Sequence, residues 1–215
     1  MTDVLQPDAA GVASAAARLH AGALVAFPTD TVHGVACRAD DPEALSRLFE
    51  LKGRPPERRV AWLIDDLEQA RQLGLAVDGR AMELAARFWP GGLTIVLPRP
   101  GDSAASAVLG DPSFPPPSPT LGVRVPAHPI ARALLARTGP LPTSSANPHG
   151  MPDCRSTDDI LVAFAGADLL DAVLDGTSPG AAPSTVVELL SSGARLLREG
   201  AIPRPAIEAA LGSVD

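Results

Sequence analysis

The 215 residues carry a formal charge of −7, with 46% apolar side chains, 20% charged side chains and two cysteines. That length can bury the core of one domain. The acidic balance argues against a general nucleic-acid coat or an anionic-membrane binder, and two isolated cysteines argue against a disulfide framework or a zinc site. Aromatic residues make up 3% with no tyrosine, too few for platforms that stack single-stranded bases.

Met1-Thr2-Asp3 opens without the basic and apolar regions of a secretory leader, and no run reaches the roughly 20 apolar residues of a membrane span. The expectation is a cytoplasmic protein that makes no membrane contact. Residues 8–20 are alanine-rich and read as a helix, and 24–27 as a buried strand ended by Pro28. Asp41-Pro42-Glu43 is a helix start, with Asp41 as cap and Pro42 at the first helical position. Ala44, Leu45, Leu48 and Leu51 then repeat at helical spacing, and the helix ends near Lys52-Gly53. A strand at 60–64 follows, then helices at 66–73 and 79–88, and a strand at 93–97. Six prolines and little periodicity make 99–119 a surface loop, with its densest prolines at 111–119. Residues 121–125 read as a strand, 128–138 as a helix and 141–144 as a strand that runs into the turn Asn147-Pro148-His149-Gly150. Ser156-Thr157-Asp158-Asp159 resembles a capping box and opens a helix to about residue 165. Strands at 169–174, 185–190 and 195–198 and a last helix after Pro205 complete an α/β order with a largely open, mixed sheet.

Neither G-x-x-x-x-G-K-[ST] nor G-x-G-x-x-G occurs, so neither a P-loop nor a classical dinucleotide fold is supported. H-E-x-x-H is missing too. The four histidines, His20, His33, His128 and His149, are scattered and read as structural or surface groups. What remains is a set of short polar segments at strand ends, where open α/β sheets bind ligands. Thr29-Asp30-Thr31 follows the first strand; a turn that bonds its own backbone explains it equally well. Lys52, Arg54, Arg58 and Arg59 fall within eight residues, a point cation beside planar forks that suit phosphate. A solvated surface run is the alternative. Thr143-Ser144-Ser145-Ala146-Asn147 and Ser184-Thr185 offer hydroxyls and an amide. Arg124 and Arg198 lie in apolar strands, where each charge needs either a ligand anion or an internal acid.

Taken in order, Pro28-Thr29-Asp30-Thr31-Val32-His33-Gly34, Lys52-Gly53-Arg54-Pro55, Trp89-Pro90-Gly91-Gly92-Leu93-Thr94, Val123-Arg124-Val125-Pro126, Ser145-Ala146-Asn147, Ser184-Thr185-Val186-Val187 and Leu197-Arg198-Glu199-Gly200 resemble the YrdC-like family, the threonylcarbamoyl-AMP synthases. The match runs from about 20 to 205, within one domain spanning 1–215. The resemblance implies a twisted open mixed sheet flanked by helices, with a large concave basic cleft. It implies an enzyme that joins L-threonine, bicarbonate and ATP into threonylcarbamoyl-AMP and pyrophosphate. A tRNA threonylcarbamoyl transferase complex would be the partner, a weak direct RNA contact is a further expectation, and Mg²⁺ would arrive with ATP rather than in a dedicated protein site. By motif, Lys52 and Arg54 would be catalytic. Lys52, Arg54, Arg58, Thr120, Ser145, Asn147 and Arg198 would line the ATP site, with Asn147 bracing the turn or touching phosphate. Thr31, Arg124, Thr143 and Ser184 would hold threonine, and Asp30 would organise the turn. The sequence departs from the family pattern at His33, Arg59-Val60, Gly92, Pro148-His149 and Asp153. A non-catalytic RNA-binding relative, and a paralogue that adenylates another carbamoyl or acyl substrate, are the competing readings.

Overall fold

Most described helices in this chain start where a polar side chain caps them. In the computed structural model, which describes residues 2–53, 60–99, 119–180 and 182–215, α1 (Ala9–His20) begins on Asp8, whose carboxylate accepts from the Gly11 amide at 2.8 Å. Asp41, Asp66 and Asp78 cap α2 (Pro42–Lys52), α3 (Leu67–Gln72) and α4 (Gly79–Phe88) in the same way. His128 caps α5 (Pro129–Thr138), and α6 (Thr157–Ala163) has the reciprocal Ser156–Asp159 box that its sequence foreshadows. The last helix, α7 (Arg204–Leu211), has no side-chain cap. These caps satisfy amides that a first helical turn leaves without partners.

The strands are β1 (Asp3–Leu5), β2 (Val25–Phe27), β3 (Gly34–Ala36), β4 (Ala61–Leu63), β5 (Leu93–Pro98), β6 (Thr120–Arg124), β7 (Leu141–Ser145), β8 (Ala172–Leu174), β9 (Thr185–Leu189) and β10 (Ala194–Arg198). They form one sheet in the order β1-β8-β2-β3-β7-β4-β6-β5-β9-β10. The pairs β1–β8, β2–β8, β4–β6 and β5–β9 are parallel and the other pairs antiparallel. The α/β order with an open mixed sheet is therefore as the sequence indicates. Two strands, β1 and β3, were not expected: each is three residues long, too short for any alternation to register, and each is fixed by its neighbours. No helix among the described residues is long and apolar enough to cross a membrane.

Because side chains alternate along a strand, the register assigns every strand residue to one of two faces. On one face, Trp62, Ile95, Val123 and Val187 sit in the cluster formed with α3, α4 and α7. On the same side, Ala26, Val35 and Val173 pack with α2 and α6. On the opposite face, α1 and α5 cover Val25, Phe27, Ala36, Leu63, Leu141 and Ala172. That third cluster ends at β7 and β4. Beyond it the same face carries small and polar side chains: Ala61, Thr94, Val96, Thr120, Gly122, Arg124, Thr143, Ser145 and Val186. Ala61, Val96, Thr120, Gly122, Thr143, Ser145 and Val186 are half-buried, so this stretch lies outside the three cores while remaining part of a continuous ladder.

A close approach at the start of α1 yields a prediction opposite to helix propensity. A Cβ on Gly11 would lie 1.8 Å from the Gln6 carbonyl oxygen. Alanine there gains about 1 kcal/mol in propensity, yet a backbone group rather than a flexible side chain has to give way. Gly11→Ala is expected to lower stability by about 1–3 kcal/mol net in urea denaturation. A variant as stable as the wild type would show that the chain before α1 yields freely.

Candidate functional site

The polar face is bounded at the end of β6 by the guanidinium of Arg124. Burial pushes its ionisation below the ordinary arginine value, and the nearby Asp30 carboxylate opposes that shift. Nε donates to the Gly91 carbonyl at 2.9 Å, Nη1 to Thr31 Oγ1 at 2.7 Å and Nη2 to Asp30 Oδ1 at 2.7 Å. The internal acid that a buried arginine requires is thus Asp30, on the segment between β2 and β3. Asp30 was expected only to organise its own turn. It is instead the ion-pair partner of Arg124, and it also accepts the Ala127 amide at 2.8 Å.

The same segment settles the roles of its two threonines. Thr29 closes the turn: its hydroxyl donates to the Val32 carbonyl at 2.6 Å and accepts the Thr31 amide at 3.2 Å. Thr31 is 1% exposed and presents its oxygen to Arg124. Gly34 follows because the segment runs hard against β7. A Cβ there would meet Thr143 Cγ2 at 2.8 Å. Thr143 donates its own hydroxyl to Leu141 O at 2.9 Å, so what it offers a ligand is an acceptor lone pair.

At the same end of the sheet, where β9 begins and β10 ends, Arg198 reaches Ser184. Its Nε and Nη2 donate to the Ser184 carbonyl at 3.0 and 2.8 Å, and Nη2 reaches Ser184 Oγ at 3.1 Å. Ser184 Oγ also lies 2.9 Å from the hydroxyl of Thr94. Thr94 is a buried member of this network that sequence reasoning missed. Burial lowers the Arg198 ionisation, and the charge of Asp153 raises it.

The far end of the polar face is built on α2. Gly53, at φ 56°, ends that helix, and Lys52 in its last turn is buried against the Ser145–Asn147 turn. Its Nζ donates to the carbonyls of Ser145 and Asn147, to Asn147 Oδ1 at 3.0 Å and to Ser145 Oγ at 3.4 Å. Asn147 Nδ2 donates to the Met151 carbonyl at 2.5 Å, so this amide braces the turn. Thr120 opens β6 on the same face, about 13 Å along the strand from Arg124. The structure therefore brings Lys52, Ser145 and Asn147 together, Thr31 and Arg124 together, and Ser184 and Arg198 together. Thr143 and Thr120 lie on the face between these groups. Arg54 and Arg58, the remaining basic residues singled out in the sequence, lie outside the described residues, as do Arg59 and the prolines of 111–117.

His33 lies behind this site, fully buried. Its Nδ1 is 2.9 Å from Ser178 Oγ, which also accepts the Thr29 amide at 3.1 Å. Its backbone accepts from the Ala146 amide and donates to the Cys154 carbonyl. The residue thereby joins the Thr29–Thr31 turn to the Ser145–Asn147 turn. Nε2 is buried with no hydrogen-bond partner among the described residues. Burial pushes the ring down to about 4, so it is neutral at pH 7. Both cysteines are free and buried, with their thiols pushed up to about 12 at Cys37 and about 11 at Cys154. Neither is a thiolate at neutral pH.

Comparison with known proteins gives this geometry a context. The model of the Sua5/YciO/YrdC domain, whose descriptor is telomere recombination, matches residues 17–200. Threonylcarbamoyl-AMP synthase of Bacillus subtilis (strain 168) is 33% identical over 100% of this chain and 60% of its own length. Threonylcarbamoyl-AMP synthase of Chromohalobacter salexigens is 38% identical over 87% of this chain and 97% of its own. A crystal structure of P. abyssi Sua5 complexed with L-threonine superimposes with a TM-score of 0.85 at 33% identity, covering 100% of this chain and 62% of that one. The chain thus spans about three-fifths of the B. subtilis and P. abyssi proteins.

Proposed function

The chain belongs to the Sua5/YciO/YrdC family, and from that membership we propose that it is a cytoplasmic L-threonylcarbamoyladenylate synthase, a nucleotidyltransferase that supplies tRNA modification. The observation that carries the reading is Arg124. A buried guanidinium held by Asp30, Thr31 and Gly91 keeps N–H groups for a carboxylate, beside a face of hydroxyls and near the charge of Arg198.

The chemistry asks little of the protein beyond placement. The threonine amine condenses with bicarbonate, losing water, to give a carbamate. A carbamate oxygen attacks the α-phosphorus of ATP, a new P–O bond forms, and the bond to the β-phosphate oxygen breaks to release pyrophosphate. Negative charge spreads over phosphoryl oxygens and the leaving group, so fixed cations lower the barrier without a protein nucleophile. In this arrangement Arg124 takes the amino-acid carboxylate, and Thr31, Thr143 and Ser184 surround its amine and hydroxyl. Arg198, Lys52, Ser145 and Thr120 line the nucleotide side, and by motif Arg54 and Arg58 would hold the triphosphate. Magnesium would come in on the triphosphate, neutralising phosphate charge. Such an ion needs only one or two carboxylates besides phosphate oxygens and water, and Asp153, whose charge acts on Arg198, is a carboxylate of the right chemistry to share it. The product would pass to a tRNA threonylcarbamoyl transferase complex.

The direct test is pyrophosphate release by purified protein given ATP, L-threonine and bicarbonate. Release that depends on all three is expected; release indifferent to threonine would refute the reading. Arg54→Ala is expected to abolish release while leaving the thermal midpoint within about 2 °C of wild type, as a residue that serves only the ligand would. A large loss of stability would make Arg54 structural instead.

A further inference from the structure

Asp30 does more at Arg124 than balance its charge. One oxygen, Oδ1, accepts both Arg124 Nη2 at 2.7 Å and the backbone amide of Ala127 at 2.8 Å. A single atom therefore ties the guanidinium and the chain just beyond it to the segment after β2. Gly91 O and Thr31 Oγ1 fix the other edges. A guanidinium has five N–H groups. Nε, Nη1 and Nη2 each commit one, and five less three leaves two, one on each terminal nitrogen. Two parallel N–H groups on the terminal nitrogens are what a planar carboxylate accepts bidentately.

We propose that Asp30 is a positioning residue for carboxylate recognition: it holds Arg124 so that the one spare N–H on each terminal nitrogen faces the α-carboxylate of the amino-acid substrate. The role is exerted through Arg124, and the carboxylate of Asp30 itself need not touch the substrate. Arginine side chains are long and lose several rotamers on ordering. Fixing the fork beforehand removes that cost from substrate binding. Removing Asp30 frees Nη2 to turn and releases the Ala127 amide, so the loss should fall on the amino acid and not on the nucleotide.

The inference rests on the amino-acid substrate of the proposed function, and steady-state pyrophosphate release with threonine and ATP varied in turn tests it. Asp30→Ala is expected to raise the KM for threonine at least tenfold and to leave the KM for ATP within twofold. Asp30→Asn, which keeps an acceptor oxygen at the same place, is expected to return most of that loss. A merely structural role would lower kcat through the active fraction and would show no such split. If Asp30→Ala does not fold, Asp30→Glu carries the test: it keeps the charge, displaces the oxygen by a methylene and should raise the threonine KM about fivefold. A threonine KM unchanged within twofold, or one that rises in step with the ATP KM, overturns the proposal. Wild-type protein that releases no pyrophosphate refutes the proposed reaction and not the role of Asp30. Calorimetric titration of L-threonine into wild type and Asp30→Ala then reads the same tenfold contrast in Kd, and absence of binding to wild type overturns both.

Discussion

Lys52→Met is expected to destabilise the folded chain by about 2–4 kcal/mol, as well as to cut activity. The ammonium of Lys52 is buried at the end of α2 among four oxygens of the Ser145–Asn147 turn. An ammonium has three N–H donors and a methionine none. The substitution keeps most of the apolar stem but takes the lysine donor from the Asn147 carbonyl and Asn147 Oδ1, while the Ser145 carbonyl keeps the Asn147 amide. Each buried acceptor left without a partner costs about 1–3 kcal/mol, less where neighbours relax. The positive charge in the last turn also complements the carbonyl end of α2. For a chain of this size the loss corresponds to a fall of about 5–12 °C in the thermal midpoint. The measurement separates two roles. A lysine that serves only as a phosphate clamp would leave the midpoint unchanged when replaced. A lysine that shapes the turn lowers the midpoint and, because Ser145 lies on the polar face, lowers activity with it. An unchanged midpoint with lost activity would return Lys52 to the purely catalytic role its motif suggests.

The elements that could be read from sequence were those with local chemistry of their own. Asp41-Pro42 and Ser156–Asp159 announce α2 and α6, and both caps are present. The expected starts of α1 and α5 fall within a residue of those observed, as both ends of α4 do. The two strands that were missed, β1 and β3, have no such chemistry: Gly34-Val35-Ala36 is a strand because β2 and β7 flank it on either side. The site shows the same division. That Arg124 needs an anion followed from its charge in an apolar strand. That the anion is Asp30 did not, because the two lie 94 residues apart and no local pattern links them. Thr94 was hidden for a related reason. Its hydroxyl is satisfied by Ser184, brought beside it by the parallel pairing of β5 and β9, and parallel pairing leaves no short-range trace. Lys52 was legible as a cation near a phosphate-like site, but its burial against a turn is a property of the packing between α2 and the end of β7.

Acidification should unfold this chain partly through one ring. His33 is fully buried with its pKa pushed down to about 4 from an ordinary 6.5. Burial is the main cause and the like charge of His128 the second, while Asp159, Asp175 and a backbone contact at Gly176 oppose them. The folded state therefore favours the neutral ring. Between pH 6.5 and 4 the unfolded chain binds a proton that the folded chain refuses, so stability rises with pH across that window. The contribution is fully present above about pH 6.5 and is lost as pH falls towards 4. Its size is bounded by the shift, at most about 3 kcal/mol. His33→Phe keeps an aromatic ring of similar volume and cannot titrate. Ser178 Oγ loses its contact with Nδ1 but still accepts the Thr29 amide. The variant is thus expected to stay within about 1–2 kcal/mol of wild type at pH 7.5. Urea denaturation at pH 7.5, 5.5 and 4.5 should then show wild type losing about 2–3 kcal/mol more than His33→Phe over the range, with carboxylate effects common to both. Parallel losses would mean that the ring takes up its proton without cost and that the Thr29–Thr31 and Ser145–Asn147 turns do not depend on its neutrality. A divergence would mean that the segment carrying Asp30 and Thr31 is held in place by an uncharged histidine. The geometry around Arg124 would then loosen first as the pH falls.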